Sequence, residues 1–155
     1  MKLAVVGDTH GKIEKIIKEL RLVKPNYLCF TGDYYQDGKK IAKELKLPLF
    51  GVTGNCDHSI RGNAEKTVEI EGHKFLIVHG HQYGVKRNLN RLYYRGQELG
   101  VNAVLFGHTH VSCCELIEGM WLINPGSPAY PRAGRGSYAV IKAEKFSLEP
   151  AILNI

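Results

Sequence analysis

Leu3-Ala4-Val5-Val6-Gly7-Asp8-Thr9-His10-Gly11 is a short apolar run that stops abruptly at a glycine, an acid and a histidine. The same arrangement returns twice downstream. Tyr27-Leu28-Cys29-Phe30 stops at Thr31-Gly32-Asp33, and Leu49-Phe50-Gly51-Val52 stops at Thr53-Gly54-Asn55. Between the first two runs, Ile13, Ile16, Ile17, Leu20 and Val23 recur at helical spacing, with Lys12, Glu14, Lys15, Lys18 and Glu19 on the other face. Ile41, Ala42 and Leu45 predict a shorter helix before the third run. Strand, helix, strand, helix, strand predicts right-handed crossovers and a parallel sheet.

The second half reads differently. Thr67–Ile70, a turn at Glu71-Gly72 and Lys74–Val78 predict a β-hairpin whose second strand stops at His79-Gly80-His81. A helix is expected over Arg87 to Leu99, closed by Gly100. Ala103–Phe106 predicts a strand that stops at Gly107-His108-Thr109-His110. Cys113–Ile117, Met120–Ile123, Ser137–Ile141 and Ser147–Leu153 predict further strands, and no linker divides the 155 residues, so one domain over 1–155 is expected.

Composition removes several classes of function. With 44% hydrophobic and 23% charged residues the chain has enough apolar surface for a packed core, which excludes a disordered polar segment. No apolar run approaches the ~18–20 residues that cross a bilayer, and Leu3–Val6 is too short for a signal-peptide core. No membrane partner is expected. Cys29, Cys56, Cys113 and Cys114 form neither a C-x-x-C pair nor a spaced framework, so a reducing, cytoplasmic setting is expected. The formal net charge of +6 suggests an anionic partner without naming one.

The chemistry lies where the strands stop. Five apolar runs each end at a residue able to bind metal: Asp8, Asp33, Asn55, His79 and His108. A glycine precedes four of them and follows His79. Taken alone, Gly-Asp after a strand is equally a turn or a helix cap. Five such endings at the carboxyl ends of strands point to a shared site. With His10 and His110 the set holds seven oxygen and imidazole donors and no thiolate pattern, which suits Mn, Fe, Zn, Ni or Co. Seven donors exceed one tetrahedral ion.

These blocks, Asp8-x-His10, Gly32-Asp33, Gly54-Asn55, His79 and Gly107-His108-Thr109-His110, resemble in order the five signature blocks of the calcineurin-like metallophosphoesterases. The resemblance is nearest to their small single-domain bacterial and archaeal phosphodiesterases, a branch marked also by Gly54-Asn55-Cys56-Asp57 and Asn124-Pro125-Gly126-Ser127. It implies a four-layer α/β/β/α sandwich and two divalent ions. Asp8, His10, Asp33 and His110 would hold one ion. Asp33, Asn55, His79 and His108 would hold the other, with Asp33 bridging. Asp33, Asn55 and His79 would then surround a hydroxide shared by the two ions, the nucleophile for hydrolysis of a small or nucleotide-like phosphodiester. A phosphomonoesterase using the same site is the alternative. So is a scaffold like the eukaryotic retromer subunit, which resembles this branch but has lost metal-ligand identity; here all seven positions are intact.

One position departs from larger members of the family, which place a histidine after the asparagine to protonate the leaving group. Cys56 stands there. The donor could instead be His58, His81, a bound water or nothing. His58, His81, Tyr34 and Arg132 are the candidate substrate contacts. Tyr34-Tyr35 could stack on a leaving group or fill a core or dimer contact. Asp57 reads as a partner that orients neighbouring groups, His73 as a solvent-facing turn residue. Arg87, Arg91 and Arg95 form one stripe on the expected helix, which tracks a phosphate backbone in some proteins and is more often a solvated face. Nucleic-acid binding is not the expected role. A homodimer or higher homo-oligomer stays open.

Overall fold

The computed structural model describes residues 1–155. Its elements in chain order are β1 (Lys2–Val6), α1 (Glu14–Val23), β2 (Tyr27–Phe30), α2 (Tyr35–Leu45), β3 (Leu49–Gly51), β4 (Glu65–Ile70), β5 (His73–Val78), α3 (Asn90–Leu99), β6 (Ala103–Leu105), β7 (Cys113–Ile117), β8 (Met120–Asn124), β9 (Ser137–Glu144) and β10 (Ser147–Asn154). A 3₁₀ turn at His81–Tyr83 precedes α3.

Two five-stranded sheets result, ordered β10-β9-β1-β2-β3 and β4-β5-β6-β8-β7. In the first, β1, β2 and β3 are parallel, as the crossovers require, and the β9–β10 hairpin adds antiparallel to β1. In the second, β5, β6 and β8 are parallel, with β4 and β7 antiparallel at the edges. Both sheets are therefore mixed.

Strand alternation builds the layers. Leu3 and Val5 of β1 point to a core shared with Phe75 and Ile77 of β5, Leu105 of β6 and Ile123 of β8, between the sheets. Ala4 and Val6 point the other way, against Ile16 and Leu20 of α1 and Ile41 of α2. On the far side, Leu76, Val78, Val104 and Leu122 pack on Leu92 of α3. The result is the α/β/β/α sandwich. Burial on both faces explains why the parallel strands read as continuous apolar runs. Truncating a wholly buried residue such as Ile77 to alanine should cost about 2–5 kcal/mol.

Three readings need correction. First, the helix marked by Ile41, Ala42 and Leu45 is present but not the shorter one: α2 runs 11 residues from Tyr35, against 10 in α1. Its buried face is Asp37, Gly38, Ile41 and Ala42, and polar and small residues there hide the apolar period. A side chain at Gly38 would meet the Phe30 ring at 2.7 Å, so this glycine is a close-packing position within the helix. Second, α3 starts at Asn90, after turns that include Arg87 N–H to the Gly84 carbonyl. Arg87 is off the helix, and Arg95 is engaged with Glu65 and Glu98, so no free arginine stripe exists. Third, His73 is the first residue of β5 rather than a turn residue, and its Nε2 lies 2.6 Å from the Glu144 carbonyl of β9, tying one sheet to the other.

Candidate metal centre

The loops after β1, β2, β3, β5 and β6 meet at one end of the sandwich. Close approach of these loops needs the glycines. A Cβ on Gly54 would lie 2.1 Å from Asp33 Oδ1, and one on Gly107 would lie 2.7 Å from Asp8 Oδ2. Gly54 and Gly107 thus make room for a carboxylate from another loop, while a Cβ on Gly7 would meet Thr31 Oγ1 at 2.0 Å and one on Gly32 would meet His79 Nδ1 at 2.9 Å.

Each carboxylate is clamped by a backbone N–H from across the site. His108 N–H donates to Asp8 Oδ2 at 2.9 Å, and Cys56 N–H donates to Asp33 Oδ1 at 2.9 Å. Asp8 Oδ1 then stands wholly buried with no hydrogen-bond partner. It lies 3.4 Å from His110 Nε2 and 4.0 Å from His79 Nε2. Leaving a carboxylate oxygen bare in the interior is expensive. A cation among these groups would satisfy it.

The imidazoles are turned to match. His79 Nδ1 sits 2.9 Å from the Thr31 carbonyl and His110 Nδ1 sits 2.8 Å from the Tyr130 carbonyl. A carbonyl only accepts, so both Nδ1 atoms carry a proton and each Nε2 faces the centre. This is the support that metal-binding histidines commonly have. His79 Nε2 is 3.4 Å from Asp33 Oδ1 and 2.9 Å from Asn55 Oδ1. His10 Nε2 is 3.3 Å from His110 Nε2 and 3.8 Å from Asp33 Oδ2. Two donor groups of carboxylate and imidazole follow, Asp8 with His10 and His110, and Asp8 with Asp33 and His79, and a third joins the Cys56 thiol to His10 and Asp33.

The electrostatics reflect the crowding. Burial pushes Asp33 upward, but the hydrogen bond and charge of His79 and the Cys56 N–H outweigh it and hold the carboxyl well below its usual range. Burial works against a charge on His79, and Asp33 and Asp8 overcome it, raising His79. The Asp8 carboxylate, 3.4 Å away, raises His110. His108, half-buried beside the His79 charge and Lys86, falls to about 4.

The backbone carries a further mark. Asp8, His10, Asp33, His108 and His110 all have left-handed φ, between 45° and 72°. Non-glycine residues adopt this region at a cost of roughly 1–3 kcal/mol each, and such residues cluster at functional sites. Nothing in the sequence period announces it.

The other sequence candidates separate. His108 stands beside His79, ring centroids 5.0 Å apart, with its own nitrogens outside the two donor groups. His81 is exposed, 5.4 Å from the His79 ring. His58 lies with Tyr34 and Cys56 along a shallow surface depression. Tyr34 is exposed beside His10, while Tyr35 packs into the helix-side core, so the pair divides between the two roles. Asp57 accepts from Gly54 N–H and Tyr35 N–H, holding the Asn55 loop rather than an imidazole. Cys56 Sγ lies with His10 and Asp33 within metal-ligand range, and burial and the Asp33 carboxylate push its thiol up to about 11. Three contributors were missed. Asp37 accepts from Thr9 Oγ1 at 2.7 Å and Gly11 N–H at 2.8 Å, bracing the Asp8–His10 loop. Asn124 Nδ2 donates to the Gly107 carbonyl at 3.1 Å and Thr109 Oγ1 at 3.0 Å, bracing the His108–His110 loop. Ser127 Oγ donates to the Asp8 carbonyl at 2.8 Å. The Asn124–Ser127 motif could have flagged the last two.

Comparison with known proteins bears on the family and the fold. The sequence pattern of the calcineurin-like phosphoesterase superfamily domain matches residues 1–145. A probable metallophosphoesterase of Bacillus subtilis (strain 168), YsnB, is 33% identical over 147 residues, covering 93% of this chain and 85% of the relative. Phosphodiesterase YfcE of Escherichia coli (strain K12) is 24% identical over 174 residues, covering 96% and 91%. Among solved structures, a predicted phosphoesterase from Streptococcus pneumoniae TIGR4 superposes with a TM-score of 0.83 at 24% identity, covering 99% of this chain and 88% of that one. Wild-type Vps29 of Entamoeba histolytica, complexed with Zn²⁺, gives 0.81 at 20% identity, covering 99% of each. Those two structures speak to the fold alone. The match across residues 1–145 speaks to descent: the chain belongs to the calcineurin-like phosphoesterase superfamily.

Proposed function

We propose that this chain is a divalent-metal-dependent phosphodiesterase acting on a small or nucleotide-like diester. The observation that carries the reading is the bare, wholly buried Asp8 Oδ1, ringed by Asp33, His79 and His110. Asp8, His10, Asp33 and His110 would hold one divalent ion, and Asp33, Asn55, His79 and His108 a second, drawn from Mn, Ni, Co, Fe or Zn. Such ions supply an acidified water and neutralise charge that develops on the phosphoryl oxygens.

The chain's own residues do the rest. Asp33 turns one oxygen towards His79, at 3.4 Å, and the other towards His10, at 3.8 Å, so it would be the bridging carboxylate. The Thr31 and Tyr130 carbonyls fix the imidazole tautomers. The His108 and Cys56 N–H groups keep each carboxylate from rotating away. His58 and His81, both exposed, would be the candidates to pass a proton to a leaving oxygen. The name of YfcE as a phosphodiesterase supports the diester over the monoester. The reading also takes residues 1–155 as one domain, at work in the cytoplasm, where its four free thiols would stay reduced. No helix is long and apolar enough to cross a membrane.

The test is reconstitution. Chelated protein is given Mn, Ni, Co, Zn or Mg singly and assayed on bis(4-nitrophenyl) phosphate and 4-nitrophenyl phosphate. Diester hydrolysis that depends on added metal is the expected result. A monoester rate well above the diester rate replaces the reading with a phosphatase. Hydrolysis of neither ester with any metal replaces it with a binding protein.

A further inference from the structure

The candidate centre opens onto a cleft of about 570 Å³ lined by His10, Tyr34, His110, Tyr130, Pro131 and Arg132. Two tyrosine rings flank His10. Tyr34 lies 4.9 Å from it, tilted by 54°, and Tyr130 lies 5.8 Å away, edge-on at 84°. Both are large and exposed, at 44% and 42%. An exposed tyrosine is ordinary on its own. Two packed against one candidate metal ligand and lining the same cleft are not.

The holding is specific. Tyr130 N–H donates to Ser127 Oγ at 2.9 Å, and Ser127 Oγ donates to the Asp8 carbonyl at 2.8 Å. The Tyr130 carbonyl accepts from His110 Nδ1 at 2.8 Å, and Arg132 N–H donates to the His110 carbonyl at 3.0 Å. Every one of these bonds runs to a candidate metal ligand or to the serine that anchors one. The Ser127–Arg132 loop is thereby registered on the centre. Tyr34 is positioned by its own backbone, which follows Asp33 in the left-handed region and leads straight into α2. Lys12 Nζ stands over the Tyr130 ring at 4.9 Å, and Arg132 makes no ion pair. The cleft therefore combines two aromatic faces with an unneutralised guanidinium. A guanidinium matches phosphoryl oxygens in pairs. A small aliphatic ester would use the cation and leave both rings in water.

We propose that this cleft is a subsite for a planar aromatic group carried by the phosphodiester, a nucleobase or an aryl ring, seated on Tyr34 and Tyr130 with Arg132 on the phosphate. The proposal rests on the phosphodiesterase reading above. Stacking of one base on an aromatic side chain changes binding by about five-fold or more.

The test compares two esters with one leaving group. Thymidine 5′-(4-nitrophenyl phosphate) and ethyl 4-nitrophenyl phosphate release the same nitrophenolate and differ in the group retained. The kcat/KM ratio of the first to the second is measured for the metal-loaded wild type, Tyr34→Ala, Tyr130→Ala and Tyr130→Phe. Bis(4-nitrophenyl) phosphate, measured against the ethyl ester, reads a retained aryl ring in place of a base. The expected result is a wild-type ratio of about ten or more. It should fall at least about five-fold in each alanine variant, through KM, and be kept by Tyr130→Phe, because the ring and not the hydroxyl is used. A ratio near one in the wild type, or one unchanged in both alanine variants, overturns the proposal while leaving the diesterase intact. Calorimetry of thymidine 5′-monophosphate against ribose 5-phosphate gives a readout without turnover. If no ester is hydrolysed, the catalytic reading fails. Tighter binding of the nucleotide that is lost in Tyr34→Ala and Tyr130→Ala then still upholds the subsite, and equal binding of both ligands overturns it.

Discussion

The two sheets are built alike and deliver different atoms. Each has three parallel strands, β1-β2-β3 in one and β5-β6-β8 in the other, with antiparallel strands beside them. The parallel strands of the first end at Asp8, Asp33 and Asn55, which are oxygen donors. Two of those in the second end at His79 and His108, which are nitrogen donors, and the third ends at Asn124, which braces the His108 loop. His10 is the one imidazole the first sheet adds. Carboxylates thus come from one sheet and most of the imidazoles from the other, and in the proposed reading neither sheet would hold the ions alone. The N–H clamp from His108 to Asp8 and the His79 contact with the Thr31 carbonyl join the halves at this edge.

The largest effect should follow from removing the carboxylate that the proposed reading shares between the two ions. Asp33→Asn keeps the shape and loses the carboxylate. We expect activity to fall by more than the 10–100-fold typical of losing an outer partner, with little change in circular dichroism and reduced metal content by elemental analysis. His108→Ala should cost less than Asp33→Asn, because its ring stands beside the donor groups rather than within them. Equal losses would break the division of labour between the sheets.

Asn124→Ala tests the brace on the second sheet. It leaves the Gly107 carbonyl without its side-chain partner and the Gly126 N–H bare, so a drop of about 10–100-fold in metal affinity is expected. Asp37→Ala is its counterpart on the first sheet. It removes the acceptor for Thr9 and Gly11 and should destabilise the fold by about 1–3 kcal/mol in urea titration, with a rise in KM for metal. If Asp37→Ala left metal binding unchanged, only the second sheet would need an outer support.

The smallest effect lies far from the centre. Glu65 of β4 is held below the usual carboxylate range by its hydrogen bonds from Arg95 and Tyr83. A carboxyl depressed in the folded state adds stability above its unfolded pKa and loses it as pH falls through the folded value. Glu65→Gln should therefore be slightly less stable at neutral pH, converge with the wild type in acid, and hydrolyse esters at the wild-type rate. The pair is partly exposed, so the gap is small.

Much of this was legible because apolar runs end where they do. The alternation of Leu3 to Val6 and the helical period of Ile13 to Leu20 specify local structure directly, and five donors at strand ends specify a common edge. The hidden parts depend on distance. That β7–β8 joins one sheet and β9–β10 the other is decided by which core each hairpin covers, and both hairpins carry similar patterns. The early start of α2 is masked because its buried face holds Asp37 and Gly38, residues chosen for Thr9 and Phe30 rather than for apolarity. Tyr130 escaped notice because its position comes from Ser127 and His110, far off in the pattern though adjacent in space.

The left-handed backbone at Asp8, His10, Asp33, His108 and His110 sets the terms on which this architecture can change trades. Glycine at any of these positions would relax the turn, and the lost donor would matter only to a chain that still needs the ion. Abandoning hydrolysis is thus a downhill step for stability, while recovering it means climbing back into strain. A descendant released from selection for turnover would keep its sandwich, grow sturdier, and be available for employment as a plain binding surface.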